Sequence, residues 1–234
     1  DKPLFLSTHG GFFHTSTLKS LKRIWFHTRT RFQLRNVYKV LACSRQDFFK
    51  FKSICDKVEL IENGVDIDHF RPKQARELKL NNWLYVGGFE SNKQVRRLLE
   101  AFELCYKYHS NLSLSVVGAE NFSGQWNDLT QGLSSKKVIK LFSNLNADDL
   151  LGMYHNAGLF VSASEFEGFG LASMEALASG SLLMLQPNRS FLDLFSGFAE
   201  FVDFKDPHKV LESFNSLLKM SEKELVQRAA RGLA

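Results

Sequence analysis

Short apolar runs alternate with longer amphipathic stretches along most of the chain. Most runs are predominantly apolar, which is typical of strands that are covered on both faces. The pattern therefore predicts an α/β fold built on parallel sheets. In the larger part of the chain, strands are predicted at 83–86, 112–117, 138–142, 159–161 and 182–185, and helices at 92–108, 126–132, 148–156, 169–178, 207–219 and 222–231.

The first 72 residues follow the same alternation. Strands are predicted at 4–8, 38–44 and 57–62, and helices at 15–36 and 45–54. The segment that begins at Asn63-Gly64 and ends at Pro72 is rich in turn-forming residues, which favours a boundary there. We therefore predict two domains, residues 1–72 and residues 73–234.

Residues suited to ligand binding follow several of the predicted strands. They are His9, Ser44, Gly87-Gly88, Gly118 and Glu167. In open parallel sheets, ligands bind at the carboxyl ends of the strands. These positions are therefore predicted to lie at the binding edges of the two sheets.

The most informative stretch follows the run at 159–161. Gly168, Phe169 and Gly170 precede an alanine-rich helix, whose first backbone N–H groups and positive dipole end favour an anion. Glu167 and Glu175, with seven residues between them, are suited to recognising hydroxyl groups. Phosphate and hydroxyl recognition together indicate a nucleotide sugar, although a strand, glycine and helix also occur in this order in proteins that bind nothing there.

A second glycine-rich junction joins the run at 83–86 to the next helix. Gly87 and Gly88 would let the backbone approach a phosphate, and Lys93 adds a positive charge near the helix start. The junction matches neither the Walker pattern nor G-x-G-x-x-G. A tight turn with a surface lysine is the alternative interpretation.

Two further motifs have weaker chemical meaning. His9 in a cleft could stabilise a developing charge near neutral pH, although a lone histidine is usually structural. Asp66-Ile67-Asp68 has the spacing of a metal-binding pair, but its position in a turn explains it equally well.

Charge is distributed unevenly along the chain. Residues 1–60 contain 12 lysine and arginine residues and 4 acidic residues, whereas the remainder is slightly acidic. The basic residues alternate with aromatic ones, including Trp25, Phe26 and Phe32. Such a surface could contact nucleic acid, anionic lipid or a diphosphate-bearing substrate, or could be a solvated helix face. The three cysteines show neither disulfide nor metal spacing, which fits a reducing compartment.

These pieces resemble, in their order, the retaining glycosyltransferases of family 4. The paired glutamates in Glu-Gly-Phe-Gly, the segment from Asn63 to Pro72 and the stretch from Tyr85 to Phe102 are each similar to a motif of that family. The resemblance implies the GT-B fold, with two Rossmann-like domains that contain parallel sheets. Because the chain starts deep in the first of these, we expect the N-terminal, acceptor-side domain to be incomplete, with the donor-binding domain after it.

The stretch from His9 to Thr15, with Ser44, resembles more narrowly the bacterial exopolysaccharide α-mannosyltransferases. These transfer mannose from GDP-mannose to a polyprenyl-diphosphate-linked oligosaccharide. The resemblance implies a nucleotide-sugar substrate, no cofactor and no metal. It also implies a cytoplasmic protein in peripheral contact with the inner membrane face, without a nucleic-acid partner.

The resemblance also assigns roles to individual residues. Lys93 would contact the donor diphosphate, Glu167 would face the sugar, Glu175 would bind the ribose, and His9 would support the developing charge. The backbone of Gly168, Phe169 and Gly170 would bind the leaving diphosphate. Gly87 and Gly88 would complete the donor site, and Ser44 and Asn63 would serve the acceptor or the interdomain segment.

Two positions depart from the family pattern. Gly88 stands where the family often has arginine, and Leu182 replaces a common proline. Retention is compatible with attack on the leaving-group face or with a covalent intermediate. A transferase that uses a UDP-sugar, a non-catalytic nucleotide-sugar-binding protein and a nucleic-acid-binding domain are the alternatives.

Overall fold

The structure, a computed structural model, describes residues 2–8, 19–74 and 77–230. The chain divides into two compact units: Asp1–Gly64 with Phe166–Gly170, and Val65–Glu165 with Leu171–Ala234. Residues 65–72, which the sequence assigned to the first domain, have their contacts in the second unit. The domain boundary after residue 72 stays a prediction.

The first unit contains a parallel three-stranded sheet in the order β1-β2-β3. Among the described residues, its core contains five buried side chains, two of which are Val40 of the central strand and Ile54. The other three are Phe26, Leu34 and Val37. Its elements are β1 (Phe5–Ser7), α1 (Lys19–Trp25), a π-helix (Phe26–Thr30), α2 (Arg31–Gln33), a 3-10 helix (Leu34–Asn36), β2 (Lys39–Ala42), α3 (Arg45–Lys52) and β3 (Val58–Leu60).

The second unit contains a six-stranded parallel sheet in the order β6-β5-β4-β7-β8-β9. Its strands are β4 (Asn82–Val86), β5 (Ser113–Val117), β6 (Ile139–Phe142), β7 (Leu159–Ser162), β8 (Leu182–Leu185) and β9 (Ala199–Phe201). Its helices are α4 (Ile67–Phe70), α5 (Val95–Tyr108), α6 (Gln125–Thr130), α7 (Ala147–Asn156), α8 (Leu171–Ala178), α9 (Arg189–Phe195), α10 (Pro207–Leu218) and α11 (Glu222–Ala230), with 3-10 turns at Ser91–Lys93 and Ser134–Val138.

Helices cover both faces of the larger sheet, as the predominantly apolar strands predicted. On one face Trp83 packs edge-on against Phe102 of α5 and Phe214 of α10, with ring centroids 5.4 and 5.2 Å apart. On the other face Leu84 belongs to a second cluster with Tyr154 and Phe160. Successive residues of β4 thus enter different cores, because side chains alternate across a strand.

The predicted α/β class and the parallel sheets are confirmed, and so are the predicted strands apart from their ends. The sequence missed α4, which lies within the turn-rich segment. It also missed α9 and β9, which lie between the predicted strand at 182–185 and the predicted helix at 207–219. The predicted start of a helix at Phe169 is wrong. The helix begins at Leu171 because Gly170 has a φ of 89°, a left-handed conformation that does not continue a right-handed helix.

No helix in the described ranges combines the length and the apolar character needed to cross a membrane.

Candidate functional site

The order of the larger sheet indicates where a ligand would bind. The chain runs outward from β4 through β5 to β6, and then returns to β7 on the other side of β4. Loops that follow two strands at such a reversal diverge and leave a crevice at the carboxyl edge. The loops after β4 and β7 are those that the sequence singled out as glycine-rich.

The loop after β4 is held close to the neighbouring strand end. A Cβ atom on Gly118 would lie 2.0 Å from the carbonyl oxygen of Gly87, so only glycine fits there. The hydroxyl of Tyr85 donates a hydrogen bond to the carbonyl of Gly88 at 2.7 Å, and Gln125 donates to the carbonyl of Phe89 at 3.1 Å. The backbone that would approach a phosphate is therefore fixed before any ligand arrives.

Lys93 ends the 3-10 turn that follows this glycine pair. Its backbone N–H donates to the carbonyl of Glu90 at 2.9 Å, and the next residue, Gln94, has a left-handed φ of 51° before α5 begins. The Lys93 side chain is half-buried. The turn therefore places a lysine directly after the carboxyl end of the central strand.

A hydrogen bond joins the loops after β4 and β7. The backbone N–H of Glu165 donates to the carbonyl of Asn92 at 2.9 Å. The Glu165 carboxylate also pairs with Arg97 at 2.5 Å and lies 3.7 Å from the amine of Lys205. This network fixes the loop after β7 against the turn that contains Lys93.

The sequence did not identify Arg97, Glu165 and Lys205 as members of one cluster. Arg97 lies in the first turn of α5, whereas Lys93 lies in the preceding 3-10 turn, so no helical spacing in the sequence connects the two. Glu165 and Arg97 are 68 positions apart, so their pairing depends on the fold.

Glu175 lies on α8 within the second unit. The hydroxyl of Tyr154, which is fully buried, donates to the Oε2 atom of Glu175 at 2.6 Å. Burial and the neighbouring Glu175 carboxylate together raise the pKa of Tyr154 well above its usual value, so the phenol stays protonated. Tyr154 therefore fixes one carboxylate oxygen, and the half-buried Glu175 retains a second for hydroxyl recognition.

Glu167 and the residues after it belong to the first unit by their contacts. Glu167 and Gly168 are half-buried, and Phe169 is buried. Gly170 makes the left-handed turn directly before α8. These residues provide the peptide groups at the amino end of that helix, as the sequence predicted, although the helix itself starts one residue after the glycine.

The remaining predicted site residues have different outcomes. His9 lies outside the described residues. Ser44 is buried, and its hydroxyl caps α3 by accepting a hydrogen bond from the N–H of Asp47 at 3.2 Å. Asn63 is half-buried after β3. Their roles at an acceptor or interdomain segment stay predictions.

The Asp66-Ile67-Asp68 motif has a structural role in the fold. Asp66 caps α4 by accepting from the N–H of His69 at 3.1 Å. Over residues 2–8, 19–74 and 77–230, no three histidine, cysteine, aspartate or glutamate side chains are grouped so that they could hold a metal ion. That the reaction needs neither a metal nor a cofactor stays a prediction.

Comparison with known proteins places the second unit in a family. A family model described as glycosyl transferases group 1 matches residues 66–231, which is more than half of the chain. The GDP-mannose:cellobiosyl-diphosphopolyprenol alpha-mannosyltransferase of Xanthomonas campestris is 30% identical over 198 residues, which are 82% of this chain and 52% of the relative. The protein of the same name from Komagataeibacter xylinus is 30% identical over 187 residues, covering 79% and 47%.

The chain spans about half the length of the curated relatives it matches. Among solved structures, Anabaena Alr3699/HepE in complex with UDP and glucose is similar, with a TM-score of 0.81 and 15% sequence identity. The match covers 99% of this chain and 66% of that one. At this identity the similarity concerns the fold, and it agrees with the α/β architecture described above.

Proposed function

The chain belongs to the glycosyl transferases group 1 family, and we propose that it transfers mannose from GDP-mannose to an oligosaccharide linked to a polyprenyl diphosphate, in exopolysaccharide biosynthesis. The two mannosyltransferase relatives at 30% identity support this donor and this acceptor class. The observation that carries the proposal is the hydrogen bond between Glu165 and Asn92, which joins the two loops at the sheet reversal.

The donor diphosphate binds at the loop after β4. Lys93 neutralises its charge, and the fixed backbone at Gly87 and Gly88 approaches its oxygens. The resemblance further implies that the peptide N–H groups of residues 168–170, which directly precede α8 in the chain, donate to the leaving diphosphate. Preorganised donors of this kind stabilise developing charge, and each lowers the activation barrier by on the order of 3 kcal/mol.

Glu175 recognises the ribose of the nucleoside. A carboxylate accepts hydrogen bonds from two adjacent hydroxyls, and Tyr154 fixes the orientation of this one at 2.6 Å. Tyr154 is a positioning residue, since it would act only through Glu175. Its replacement by phenylalanine is expected to weaken donor binding and leave the chemical step unchanged.

In the reaction, the bond between the anomeric carbon and the diphosphate oxygen breaks, and its electron pair leaves with GDP. The hydroxyl oxygen of the acceptor forms the new bond to that carbon, and its proton leaves with the diphosphate. The carbon has oxocarbenium character in the transition state. In this proposal Glu167 stabilises that positive charge, and the role that the resemblance implies for His9, which lies outside the described residues, stays a prediction.

Donor choice is tested by thermal unfolding of the protein with GDP-mannose, UDP-glucose or UDP-N-acetylglucosamine. A ligand at about one hundred times its Kd adds about 2.7 kcal/mol to the unfolding free energy. We expect GDP-mannose to raise the melting temperature of the wild-type protein and to change the melting temperature of the Lys93→Ala variant little. The exposed Lys137→Ala is the matched control. A larger rise with a UDP-sugar would assign the UDP-dependent alternative.

Transfer is tested with radiolabelled GDP-mannose and a polyprenyl-diphosphate-linked acceptor. Lys93→Ala and Glu167→Ala are each expected to abolish product formation. Near-normal turnover by Glu167→Ala would contradict its role at the sugar. Donor binding without turnover in the wild-type protein would favour the non-catalytic nucleotide-sugar-binding alternative.

The helical segment 19–36 suits the membrane face on which such an acceptor lies. Leu21, Ile24, Trp25 and Phe32 are 51–64% exposed, and their spacing places them along one side of the segment. Arg29 lies over the Trp25 ring, with its guanidinium carbon 5.5 Å from the ring centroid. We name these four side chains the apolar stripe. An exposed apolar stripe with arginines beside it fits an anionic lipid surface.

One prediction about this segment is wrong. Phe26 was grouped with the aromatic residues of a ligand surface, but it is 2% exposed and belongs to the core of the first unit.

A further inference from the structure

A basic concavity in the first unit has no role in the proposed transfer. It has a volume of about 530 Å³ and lies between the end of the helical segment 19–36 and the end of α3. Four basic side chains line it against a single acidic one, Asp56, so it has a net charge of three positive units. The basic residues are Arg31, Arg35, Lys52 and Lys57.

Helix ends account for part of this charge, because Arg31, Arg35 and Lys52 each lie in the last turn of a helix. Basic residues stabilise the carbonyl groups at helix C-termini. Lys57 does this, since its amine donates to the carbonyls of Arg35 and Val37 at 3.3 and 3.1 Å. Arg35 instead lies over the ring of Phe32, with its guanidinium carbon 5.5 Å from the ring centroid. The concavity therefore contains more positive charge than its two helix ends require.

The single carboxylate does not neutralise this charge. Asp56 is fully exposed, and its Oδ1 atom is 4.0 Å from the amine of Lys52. Lys52 also donates to the backbone carbonyl of Asp56 at 2.9 Å, which holds its amine at the rim. An exposed pair at this distance is weak and is screened by salt.

The rest of the lining consists of Ser53 and three less polar side chains. Leu34 and Ile54, both buried in the core of the first unit, contribute to the concavity, and the half-buried Cys55 lies beside them. The volume exceeds that of a phosphate group alone. The concavity thus suits a ligand that combines an anionic phosphate with a larger body.

We propose that this concavity binds the phosphate group of a phosphorylated organic anion, with Arg31, Arg35 and Lys52 as its ligands. Guanidinium groups match phosphate oxygens in bidentate geometry, and lysine adds a point charge. Arg31 and Arg35 extend from the segment that carries the apolar stripe. The phosphate therefore comes either from a lipid headgroup at the membrane or from a free phosphorylated molecule. None of these residues belongs to the donor site, so this proposal stands or fails independently of the transfer reaction.

Cys55 provides a readout inside the concavity that does not depend on activity. We would measure its alkylation rate by iodoacetamide, followed by mass spectrometry, with the buried Cys43 and Cys105 as internal references. Millimolar pyrophosphate should slow labelling about fivefold relative to sodium chloride of equal ionic strength, as expected when most sites are occupied. In the double variant Arg35→Gln/Lys52→Gln the protection should disappear, whereas Lys137→Gln should retain it.

Vesicles distinguish the two sources of phosphate. Protection by phosphatidic acid vesicles, but not by phosphatidylglycerol vesicles of equal charge or by pyrophosphate, assigns a lipid headgroup. Protection by pyrophosphate assigns a free phosphate group. Equal protection by both kinds of vesicle, with none by pyrophosphate, overturns the proposal because membrane coverage alone explains it. Unchanged labelling in every case, together with no heat of pyrophosphate binding by calorimetry, also overturns it.

Discussion

The two longest helical stretches of the units use their apolar side chains in opposite ways. Helix α5 places Val95, Leu98, Leu99, Ala101, Phe102 and Cys105 in the core, each at most 4% exposed. The helical segment 19–36 buries Phe26 and Leu34 but exposes the four side chains of its apolar stripe. An amphipathic helix needs only one apolar side for packing. A second apolar side therefore indicates a contact outside the chain.

The largest expected effect is the difference in unfolding free energy lost when an aromatic side chain is removed from each of the two helical stretches. Replacing Phe102 with alanine leaves a cavity against Trp83 and should lower the unfolding free energy by about 3–5 kcal/mol. Replacing the exposed Phe32 with alanine should change it by at most about 0.5 kcal/mol. Denaturant titration followed by circular dichroism measures both. A cost for Phe32→Ala as large as that for Phe102→Ala would show that the stripe is packed and not exposed.

The second effect concerns lipid binding, for which the exposed stripe, and not α5, should be the sensitive region. Trp25→Ala should weaken binding to anionic vesicles by about 2–3 kcal/mol, the value of one buried aromatic side chain. The control is Tyr108→Ala, at the end of α5, where the ring is 67% exposed but lies outside the stripe. Vesicle co-sedimentation gives both affinities. Equal losses in the two variants would refute a specific membrane surface.

The third effect is a pH dependence of the unfolding free energy, of about 1–2 kcal/mol, that originates on α5. Burial by itself would raise the pKa of Glu103, but hydrogen bonds from Ser134 and Ser135 outweigh it and lower the pKa to about 2, against an ordinary value of 4.5. The stabilisation is therefore complete above pH 4.5 and is lost as the pH falls toward 2.

Thermal unfolding between pH 7 and pH 2 measures this contribution. Glu103→Gln should be less stable than wild type at pH 7 and should converge with it at low pH. Glu100→Gln, on the exposed side of the same helix, is the control and should follow wild type throughout. A constant difference between Glu103→Gln and wild type at every pH would contradict the assignment.

The smallest effect returns to the charges beside the stripe. Arg29→Gln removes one positive charge and should weaken binding to anionic vesicles by about 1 kcal/mol. The loss should shrink as salt is raised, because screening reduces the contribution of exposed charges. Binding to neutral vesicles should be the same in wild type and variant, and a difference there would exclude an electrostatic role.

The sequence predicted most of the larger sheet because most of its strands are predominantly apolar and several of its helices are long. It missed β9, whose three residues are too short for a periodic pattern, and α9, which Asn188 caps by accepting a hydrogen bond from Phe191 at 2.9 Å. It placed Gly87 after a strand and Glu175 on a helix correctly, but Lys93, which it placed within a helix at 92–108, lies in the 3-10 turn before α5. It could not identify Tyr154 as the partner of Glu175, because that contact depends on how α7 packs beside α8.

The hydrogen bond between Glu165 and Asn92 has a consequence for engineering. Because it joins backbone atoms, a substitution removes it directly only if proline, which lacks the N–H, replaces Glu165, and each loop helps to hold the shape of the other. A graft that takes the loop after β7 from a relative, in order to change the sugar that is transferred, must therefore also bring the segment 87–94. The two loops therefore have to be exchanged together, although 72 residues of the sequence separate Asn92 from Glu165.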